Sequence, residues 1–223
     1  MSISQNLTVL KAELPAGVTL VAVSKTKPAA LIEEAYAIGQ RDFGENYVQE
    51  LVDKQAQLPK DIRWHFIGHL QSNKVKYIAP FVSLIHGVDS LKLLKEINKQ
   101  GAKCGRVIPC LLQVYIASEE SKFGFDAAEI RELLASGELL TLHNIHISGL
   151  MGMASNTEQE GQVKAEFESL AGLFHELKKS PLPNLHMEHL SCGMSSDYQL
   201  ALAAGSTMLR IGSTIFGARN YTG

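Results

Sequence analysis

Eight short apolar segments alternate along this chain with longer segments of helical periodicity, and this alternation constrains the fold more than any other feature. The apolar segments lie at 19–25, 41–46, 63–70, 82–89, 107–116, 145–153, 186–192 and 206–212. Between them, stretches such as PAALIEEAYAIG place Leu31, Ala35 and Ile38 on one face of a helix. Eight such units are the count of a (β/α)8 TIM barrel, whereas an open doubly wound sheet usually carries fewer strands.

The length and composition fit a single barrel domain. The chain has 223 residues, of which 45% are hydrophobic and 20% charged, which is enough apolar material for one large core. No segment rich in Pro, Gly or Ser divides the chain, and the eighth unit ends at about residue 216. Because α/β barrels of this length form one domain, we predict that residues 1–223 form a single α/β TIM-barrel domain.

Charge and apolar patterning exclude several classes of function. Lys and Arg number 21 and Asp and Glu 23, a net charge of −2, so there is no electrostatic basis for binding nucleic acid. No apolar run reaches the roughly 18 residues of a membrane span, and the first residues do not resemble a secretory signal. Three cysteines without a CxxC motif are typical of free thiols in a reducing compartment. We predict a cytoplasmic protein that does not bind membranes and is a monomer by default.

Two neighbouring loops of the predicted barrel have the composition of an anion site. The active site of such a barrel lies at the C-terminal ends of its strands, and phosphate often binds after strands seven and eight. Strand seven is followed by Ser195 and Ser196, and strand eight by Gly212, Ser213 and Thr214. One Gly-Ser helix start is usually an ordinary N-cap. Two of them at adjacent barrel positions favour a phosphate held by hydroxyls and backbone N–H groups.

The first predicted strand ends in a lysine on its inward face. Lys25 shares the face of Val21 and Val23 by the period of two, which points it into the barrel or its rim. A lysine there either pairs with a carboxylate or a phosphate, or loses its proton and attacks a carbonyl. Strand position alone leaves both interpretations open. Lys27 precedes Pro28 at a helix start, so we expect it outside the barrel mouth.

Arg210, several histidines and Lys122 each have a structural and a ligand-binding interpretation. Arg210 lies two residues before Gly212 on strand eight. An arginine commonly pairs with a carboxylate, but beside the predicted phosphate site and opposite Lys25 a ligand-facing role is favoured. His69 is predicted near the mouth as a possible ligand contact, and His65 in the interior with a hydrogen bond. His186 and His189 are three residues apart in one strand and so point to opposite faces; we predict no metal site. Lys122, after strand five, is equally compatible with a ligand-facing and a surface position.

The same segments resemble a known family. AVSKTKP, FGENYVQE, WHFIGHLQSNK, SGLMGM, LSCGMSSDY and STMLRIGSTIFGAR, spread over residues 21–219, are similar to the pyridoxal 5′-phosphate (PLP) homeostasis proteins, also called the YggS/PROSC family. The resemblance implies a fold-type III barrel like the N-terminal barrel of alanine racemase, without the second β domain of that enzyme. It also implies PLP held as a Schiff base.

The resemblance assigns roles to matching residues. Lys25 matches the Schiff-base lysine, Arg210 the residue facing the pyridine nitrogen, and Asn46 a residue beside the ring. The matching phosphate contacts are Ser195, Gly212 and Ser213, and we add three further candidates for cofactor binding: His69, Ser196 and Thr214. Cys192 departs from the family, where methionine is common, and we expect this exchange to be tolerated because both side chains are soft and weakly polar.

The function implied is intracellular PLP homeostasis, as a carrier or buffer that affects amino-acid and keto-acid balance. PLP is the implied partner, and PLP-dependent apoenzymes are open as recipients. Three alternatives remain: a PLP-dependent amino-acid racemase, a Schiff-base aldolase, and an interaction protein with a vestigial pocket. A fixed cation at the ring nitrogen disfavours ring protonation and weakens the electron sink. A racemase also needs a second base, and nothing in the sequence places Tyr47, Tyr115 or Tyr198 over the ring.

Overall fold

A computed structural model describes residues 2–118 and 123–218; Lys122 and Arg219 lie outside these ranges. Strands and helices alternate along nearly the whole chain. The strands β1 to β8 are Thr19–Val23, Asp42–Glu45, Arg63–Phe66, Leu84–Val88, Ile108–Tyr115, Ile145–Met153, Leu185–Ser191 and Met208–Ile211. The helices α1 to α9 are Ile3–Glu13, Ala29–Ala37, Val48–Gln57, Val75–Ile78, Leu91–Cys104, Ala127–Ala135, Glu160–Leu177, Tyr198–Ala203 and Ser213–Phe216.

The strands close into a parallel barrel in the order β1 to β8. β1 pairs with β8 and thereby closes the ring, with Val21 opposite Arg210 and Ala22 opposite Ile211. Each of the eight predicted apolar segments coincides with one strand of the barrel, although β7 begins one residue before its segment, so the predicted (β/α)8 fold is confirmed. Parallel neighbours also explain why the runs are nearly continuous in apolar residues, since helices cover the outer face of the sheet.

The helix-facing core contains the apolar stripes that the sequence shows. Along α7, Val163, Phe167, Leu170, Phe174 and Leu177 are all buried, as their spacing of three and four residues requires. The ends of the helices are fixed by local chemistry as well. The α6 helix, for example, begins with a capping box. The side chain of the capping residue accepts from a backbone N–H of the first turn, and a side chain of that turn accepts from the N–H of the capping residue.

The barrel interior has an apolar layer and a polar layer. Val21, Leu84, Leu111, Met151 and Met208 form a buried cluster separate from the helix-facing core. Because side chains alternate between the two faces of a strand, the inward positions next to this cluster carry polar groups, among them the buried residues His65, His86, Gln113 and Arg210. The polar layer of the barrel interior thus provides the side chains for a polar site. Within the described ranges, no helix is both long enough and apolar enough to cross a membrane.

Candidate functional site

A cavity of about 280 Å³ opens at the C-terminal ends of the strands. This volume is near the lower end of small-molecule sites, roughly 300 Å³. Its lining comes from the ends of β1, β6 and β8, from the loops after β1, β2, β3 and β7, and from the two ends of α9: Val23, Lys25, Lys27, Asn46, Ile67, Met153, Met194, Ser195, Ser196, Arg210, Gly212, Ser213 and Gly217. The position is the one that the barrel rule selects.

The structure brings together most of the residues singled out from the sequence. Those that line the cavity are Lys25, Asn46, Ser195, Ser196, Arg210, Gly212 and Ser213. Two candidates do not line it. Thr214 lies in the first turn of α9, and His69 lines a neighbouring groove together with Tyr47 and Tyr77.

The Lys25 side chain reaches the cavity because the alternation of β1 continues past the end of the strand. Val21 is buried in the interior layer, Val23 lines the cavity, and Lys25 follows two residues later in the same lining. Ser24, on the opposite face, is fully buried behind the barrel wall. Lys25 thus belongs to the lining of the cavity at the barrel mouth.

The expectation that Lys27 lies outside the mouth is wrong. Its ammonium lines the cavity and donates to the carbonyls of Phe216 at 3.2 Å, Gly217 at 3.3 Å and Ala218 at 2.9 Å. The reason is a left-handed residue, Thr26, with φ of 63°, within a turn closed by a hydrogen bond from the Lys27 N–H to the Ser24 carbonyl. Lys27 therefore ties the β1 loop to the end of α9.

Arg210 is buried below the cavity and is held by neutral groups. Its Nη1 donates to the carbonyl and the hydroxyl of Ser191, both at 2.7 Å, and its Nη2 donates to the Gly152 carbonyl at 3.0 Å. Burial lowers the pKa of Arg210, but a guanidinium keeps its charge in proteins. Of the two possibilities weighed from the sequence, the hydrogen bonds favour a cation whose charge is available to a ligand.

A chain of buried hydrogen bonds continues from Arg210 across the barrel interior. Ser191 Oγ lies 3.0 Å from His86 Nδ1, His86 Nε2 lies 2.9 Å from His65 Nδ1, and His65 Nε2 lies 3.0 Å from Asp42 Oδ1. The prediction that His65 is buried and hydrogen-bonded is confirmed. The sequence did not point to His86, because its hydrogen-bond partner Ser191 is 105 positions away along the chain.

Asp42 is the acceptor at one end of this chain. Burial on its own raises the pKa of Asp42, but hydrogen bonds from His65 and Arg63 outweigh it and lower the pKa to about 2. The Asp42 carboxylate therefore accepts from His65 Nε2. Burial also lowers the pKa of His86 well below its usual value, which keeps that ring neutral in this arrangement.

The two serine-bearing turns are fixed to each other. Ser195 Oγ accepts a hydrogen bond of 3.4 Å from the Gly212 N–H. The Met194 N–H donates to Asp197 Oδ1 at 2.6 Å, and burial raises the pKa of Asp197. Gly193, which begins the turn after β7, has φ of 94°, and a Cβ there would lie 2.6 Å from the Ala201 Cβ. The turn is thus built for a residue without a side chain at this position.

The remaining histidines have structural contacts. His69 Nδ1 lies 3.1 Å from Asp89 Oδ2, and its ring centroid is 4.6 Å from that of Phe123. The rings of His146 and His186 lie 4.7 Å apart. Within residues 2–118 and 123–218, no group of three or more His, Cys, Asp or Glu side chains could hold a metal ion.

The cavity also contains residues that sequence reasoning did not single out. Apolar side chains of Val23, Ile67, Met153 and Met194 form its non-polar surface. Alternation along β1 and β6 would have identified Val23 and Met153, since each is the last inward residue of its strand. Cys192 is fully buried, and burial raises the pKa of its thiol.

Comparisons with known proteins identify close relatives. Residues 1–220 match the alanine racemase N-terminal domain family. A pyridoxal phosphate homeostasis protein of Pseudomonas aeruginosa is 41% identical over 93% of this chain and 87% of its own length. The protein of the same name from Escherichia coli is 42% identical over 93% of this chain and 88% of its own.

Solved structures give the same result. PipY of Synechococcus elongatus is 40% identical and covers 97% of this chain, which in turn covers all of PipY; the TM-score is 0.91 for the structure without PLP and 0.87 for the structure with PLP bound. Alanine racemase from E. faecalis has a TM-score of 0.73 at 15% identity, a likeness of fold alone. The superposition covers 98% of the present chain and 58% of the racemase chain. Since both the family match and the relatives extend over nearly the whole sequence, the chain belongs to the alanine racemase N-terminal domain family and, within it, to the pyridoxal phosphate homeostasis proteins.

Proposed function

We propose that this chain binds PLP in the cavity at the barrel mouth, as a Schiff base on Lys25, and serves PLP homeostasis as a carrier or buffer. Through the cofactor it affects amino-acid and keto-acid balance. The observation that carries the proposal is the lining of one cavity by an amine, a guanidinium and two serine-bearing turns. The PLP-bound structure of PipY, at 40% identity, supports it. Residues 1–223 are proposed to act as one PLP-binding domain.

The residues present fit the cofactor. PLP supplies an aldehyde that condenses with a primary amine and releases water, together with a pyridine ring and a phosphate. Lys25 offers the amine, and the Ser195 and Gly212 turns offer hydroxyl and N–H donors to a phosphate. Asn46 lines the cavity, and its buried Oδ1 has no hydrogen-bond partner among the described residues, so it can accept from a ligand hydroxyl.

Each lining residue has a proposed role. Lys25 binds covalently, Arg210 faces the ring nitrogen, and Asn46 lies beside the ring. The proposed phosphate contacts are Ser195, Ser196, Gly212 and Ser213. His69 and Thr214 are omitted from this set because the structure places them outside the cavity lining.

The surroundings of Arg210 favour carriage over turnover. Its guanidinium is held by Ser191 and a carbonyl, so its positive charge disfavours a proton on a neighbouring ring nitrogen. A ring without that proton is a weak electron sink. The tyrosines Tyr47, Tyr115 and Tyr198 are absent from the cavity lining, so none of them is in place as the second base that racemisation needs.

The experiment that tests the proposal is an absorbance spectrum of purified protein with added PLP. We expect wild type to show the yellow Schiff-base band and Lys25→Ala to lack it, while Lys25→Ala still retains PLP through its phosphate. Borohydride should fix the cofactor to the peptide that contains Lys25. A Lys25→Ala protein with an unchanged band would refute the role of this lysine.

The same samples separate the alternatives. A racemase would exchange the α-proton of an added amino acid in deuterated water, and holoprotein that shows no exchange removes it. An aldolase would lack bound PLP and would instead be trapped by borohydride with a phosphorylated aldehyde. A pure interaction protein would keep every partner contact and phenotype in Lys25→Ala.

Delivery of PLP to apoenzymes is a further part of the proposal, as are a cytoplasmic location and a monomeric state. Mixing the PLP-loaded protein with the apo form of a PLP-dependent enzyme tests delivery. We expect enzyme activity to appear faster than with an equal concentration of free PLP if transfer requires contact. Sedimentation of the loaded protein measures its mass and tests the monomer.

A further inference from the structure

A cluster of buried charges lies behind the loop that carries Lys25. Lys54 on α3 donates through Nζ to Glu45 Oε1 at 2.7 Å and to Glu50 Oε1 at 2.7 Å. The side-chain exposure is 7% for Lys54, 0% for Glu45 and 23% for Glu50. Phe43 packs into the helix-facing core, and Glu45, two residues later on β2, shares that face. The cluster therefore lies between the barrel wall and α3, outside the cavity.

Every member of the cluster also contacts a residue adjacent to Lys25 in the chain. Ser24 Oγ donates to Glu45 Oε1 at 2.6 Å, and the Ser24 carbonyl accepts from Lys54 Nζ at 2.8 Å. On the other side of Lys25, the Thr26 N–H donates to Glu50 Oε1 at 2.6 Å. The two peptide units that flank the lysine are thus both held from the same side.

The loop needs such contacts because its backbone is strained. Thr26 has φ of 63°, and it is the non-glycine residue with a positive φ in the described part of the chain. The left-handed region is costly for a β-branched residue, and such conformations persist where surrounding contacts over-determine them. The Glu50 carboxylate on the Thr26 N–H is one of these contacts.

The cluster is poorly explained as a device for overall stability. Burial raises the pKa of Glu45 to about 7, more than Lys54 and Ser24 lower it, and its Oε2 is buried with no hydrogen-bond partner among the residues described. Well-packed apolar residues often stabilise a fold as much as a buried ion pair does. The contacts of the cluster with the residues next to Lys25 indicate instead a role in holding that loop.

We propose that Glu45, Glu50 and Lys54 are positioning residues that hold the strained turn at Ser24 and Thr26, and so aim the Lys25 amine into the cavity. The consequence for the cofactor rests on the proposed function, because it assumes that Lys25 is the residue that binds PLP. The geometry of the turn itself does not depend on that assumption.

The sharpest test uses Glu50, which is partly exposed and so the safest member to change. Glu50→Ala removes the acceptor of the Thr26 N–H, and Glu50→Gln keeps an oxygen there. A hydrogen bond to a charged group is worth about a tenfold change or more in an equilibrium. In the chain without PLP, we expect hydrogen exchange at the Thr26 amide to rise about tenfold in Glu50→Ala and to be largely restored in Glu50→Gln. Lys54→Met should act in the same direction.

A second readout follows Lys25 itself. Labelling by an amine-reactive reagent, mapped by mass spectrometry, should change at Lys25 in Glu50→Ala relative to the other lysines. The Schiff-base band should form about tenfold more slowly on addition of PLP, with Glu50→Gln again close to wild type. Inorganic phosphate, which is expected to bind on the other side of the cavity, should reduce the labelling of Lys25 to the same extent in all variants.

Gln40→Leu is the matched control. Gln40 is buried and donates through Nε2 to the carbonyls of Leu20 and Asp42, each at 2.8 Å, so it ties β1 to β2 at the opposite end of the same strands. The Gln40→Leu variant should lower the melting temperature. Hydrogen exchange at Thr26 and labelling of Lys25 should change only as far as the lower overall stability requires.

The outcomes separate the two claims. Unchanged Thr26 exchange in Glu50→Ala, or unchanged Lys25 labelling and band formation despite faster exchange, would overturn the positioning role. Equal effects in Gln40→Leu would overturn it too, because the loop would then follow stability alone. A wild type that forms no band with PLP would refute the proposed function, while exchange and labelling would still decide whether the cluster positions Lys25.

Discussion

The two sides of the cavity hold their functional groups by different physical means. On the amine side, the loop with Lys25 is held by buried charges, with Lys54 between two carboxylates. On the side of the serine-bearing turns, the two turns contact each other through neutral groups, because Ser195 Oγ accepts from the Gly212 N–H, and Gly193 allows a turn that a side chain would obstruct. Within one of these turns, Asp197 Oδ1 accepts from the Met194 N–H.

This difference makes each side sensitive to a different kind of change. Charge–charge contacts in a low-dielectric region respond strongly to protonation and to the loss of one partner. Neutral backbone contacts respond to volume, since a packed turn cannot absorb an added methyl group without moving its neighbours. Variants that add volume should damage the serine side, and variants that alter charge should damage the amine side.

The largest effect is expected at Gly193. Gly193→Ala combines a left-handed φ of 94° with a Cβ placed 2.6 Å from the Ala201 Cβ, so we expect the free energy of unfolding to fall by about 2–4 kcal/mol. Gly205→Ala is the control, because Gly205 has the same φ and nothing within 4 Å of its Cβ. Denaturant unfolding measures both. Equal losses would assign the effect to backbone strain and refute the close contact.

The next effect is a pH dependence on the amine side, from Glu45. Burial raises the folded pKa of Glu45 from 4.5 to about 7. Between these values the unfolded chain loses the proton and the folded chain keeps it, so the Glu45 contribution to stability falls as pH rises through this window and is constant above it. The fall is at most about 3 kcal/mol.

Glu45→Gln has no proton to lose at this position. The difference in melting temperature, wild type minus Glu45→Gln, should therefore decrease from pH 4.5 to pH 7 and then level off. Thermal unfolding at a series of pH values measures it. A difference that is flat or increases over this range contradicts a folded pKa of Glu45 that burial has raised.

The barrel and the location of the site were predictable from sequence, because both depend on local patterns. Alternation of apolar runs with amphipathic helices fixes the order of elements, and the barrel rule then selects the residues after each strand. Lys25, Ser195 and Gly212 enter the cavity lining for this reason. Asn46 was assigned a role by family resemblance, since an amide after a strand has no pattern of its own.

The parts that sequence did not predict depend on backbone exceptions and distant contacts. Lys27 turns back to the end of α9 because Thr26 adopts a left-handed conformation, which nothing in the letters SKTKP indicates. His86 and Ser191 meet across the barrel although they are 105 residues apart. The Lys54 contacts to Ser24 and Glu45 likewise join a loop, a strand and a helix, so they appear only once the strands are placed.

A moderate effect is expected at Arg210, which is buried below the cavity. Arg210→Met removes the donors to Gly152 and Ser191 and leaves buried oxygens without a partner, so we expect a loss of about 2 kcal/mol in the free energy of unfolding. Arg131→Met is the control, because Arg131 and Glu176 form an exposed ion pair that solvent screens, so its loss should cost much less. Calorimetry of both variants measures the contrast, and equal losses would contradict the buried role.

The smallest effect is expected on the serine side, at Ser195. Its hydrogen bond to the Gly212 N–H is long, 3.4 Å, so Ser195→Ala should leave the melting temperature nearly unchanged. If the hydroxyl contacts the phosphate as proposed, the variant should bind PLP about fivefold more weakly, the value of one hydrogen bond of about 1 kcal/mol. Pyridoxal, which lacks the phosphate, should bind wild type and variant equally in the same titration. A loss of the same size with pyridoxal would mean that Ser195 acts on the ring or the loop, and the neutral side of the cavity would then no longer be the phosphate side.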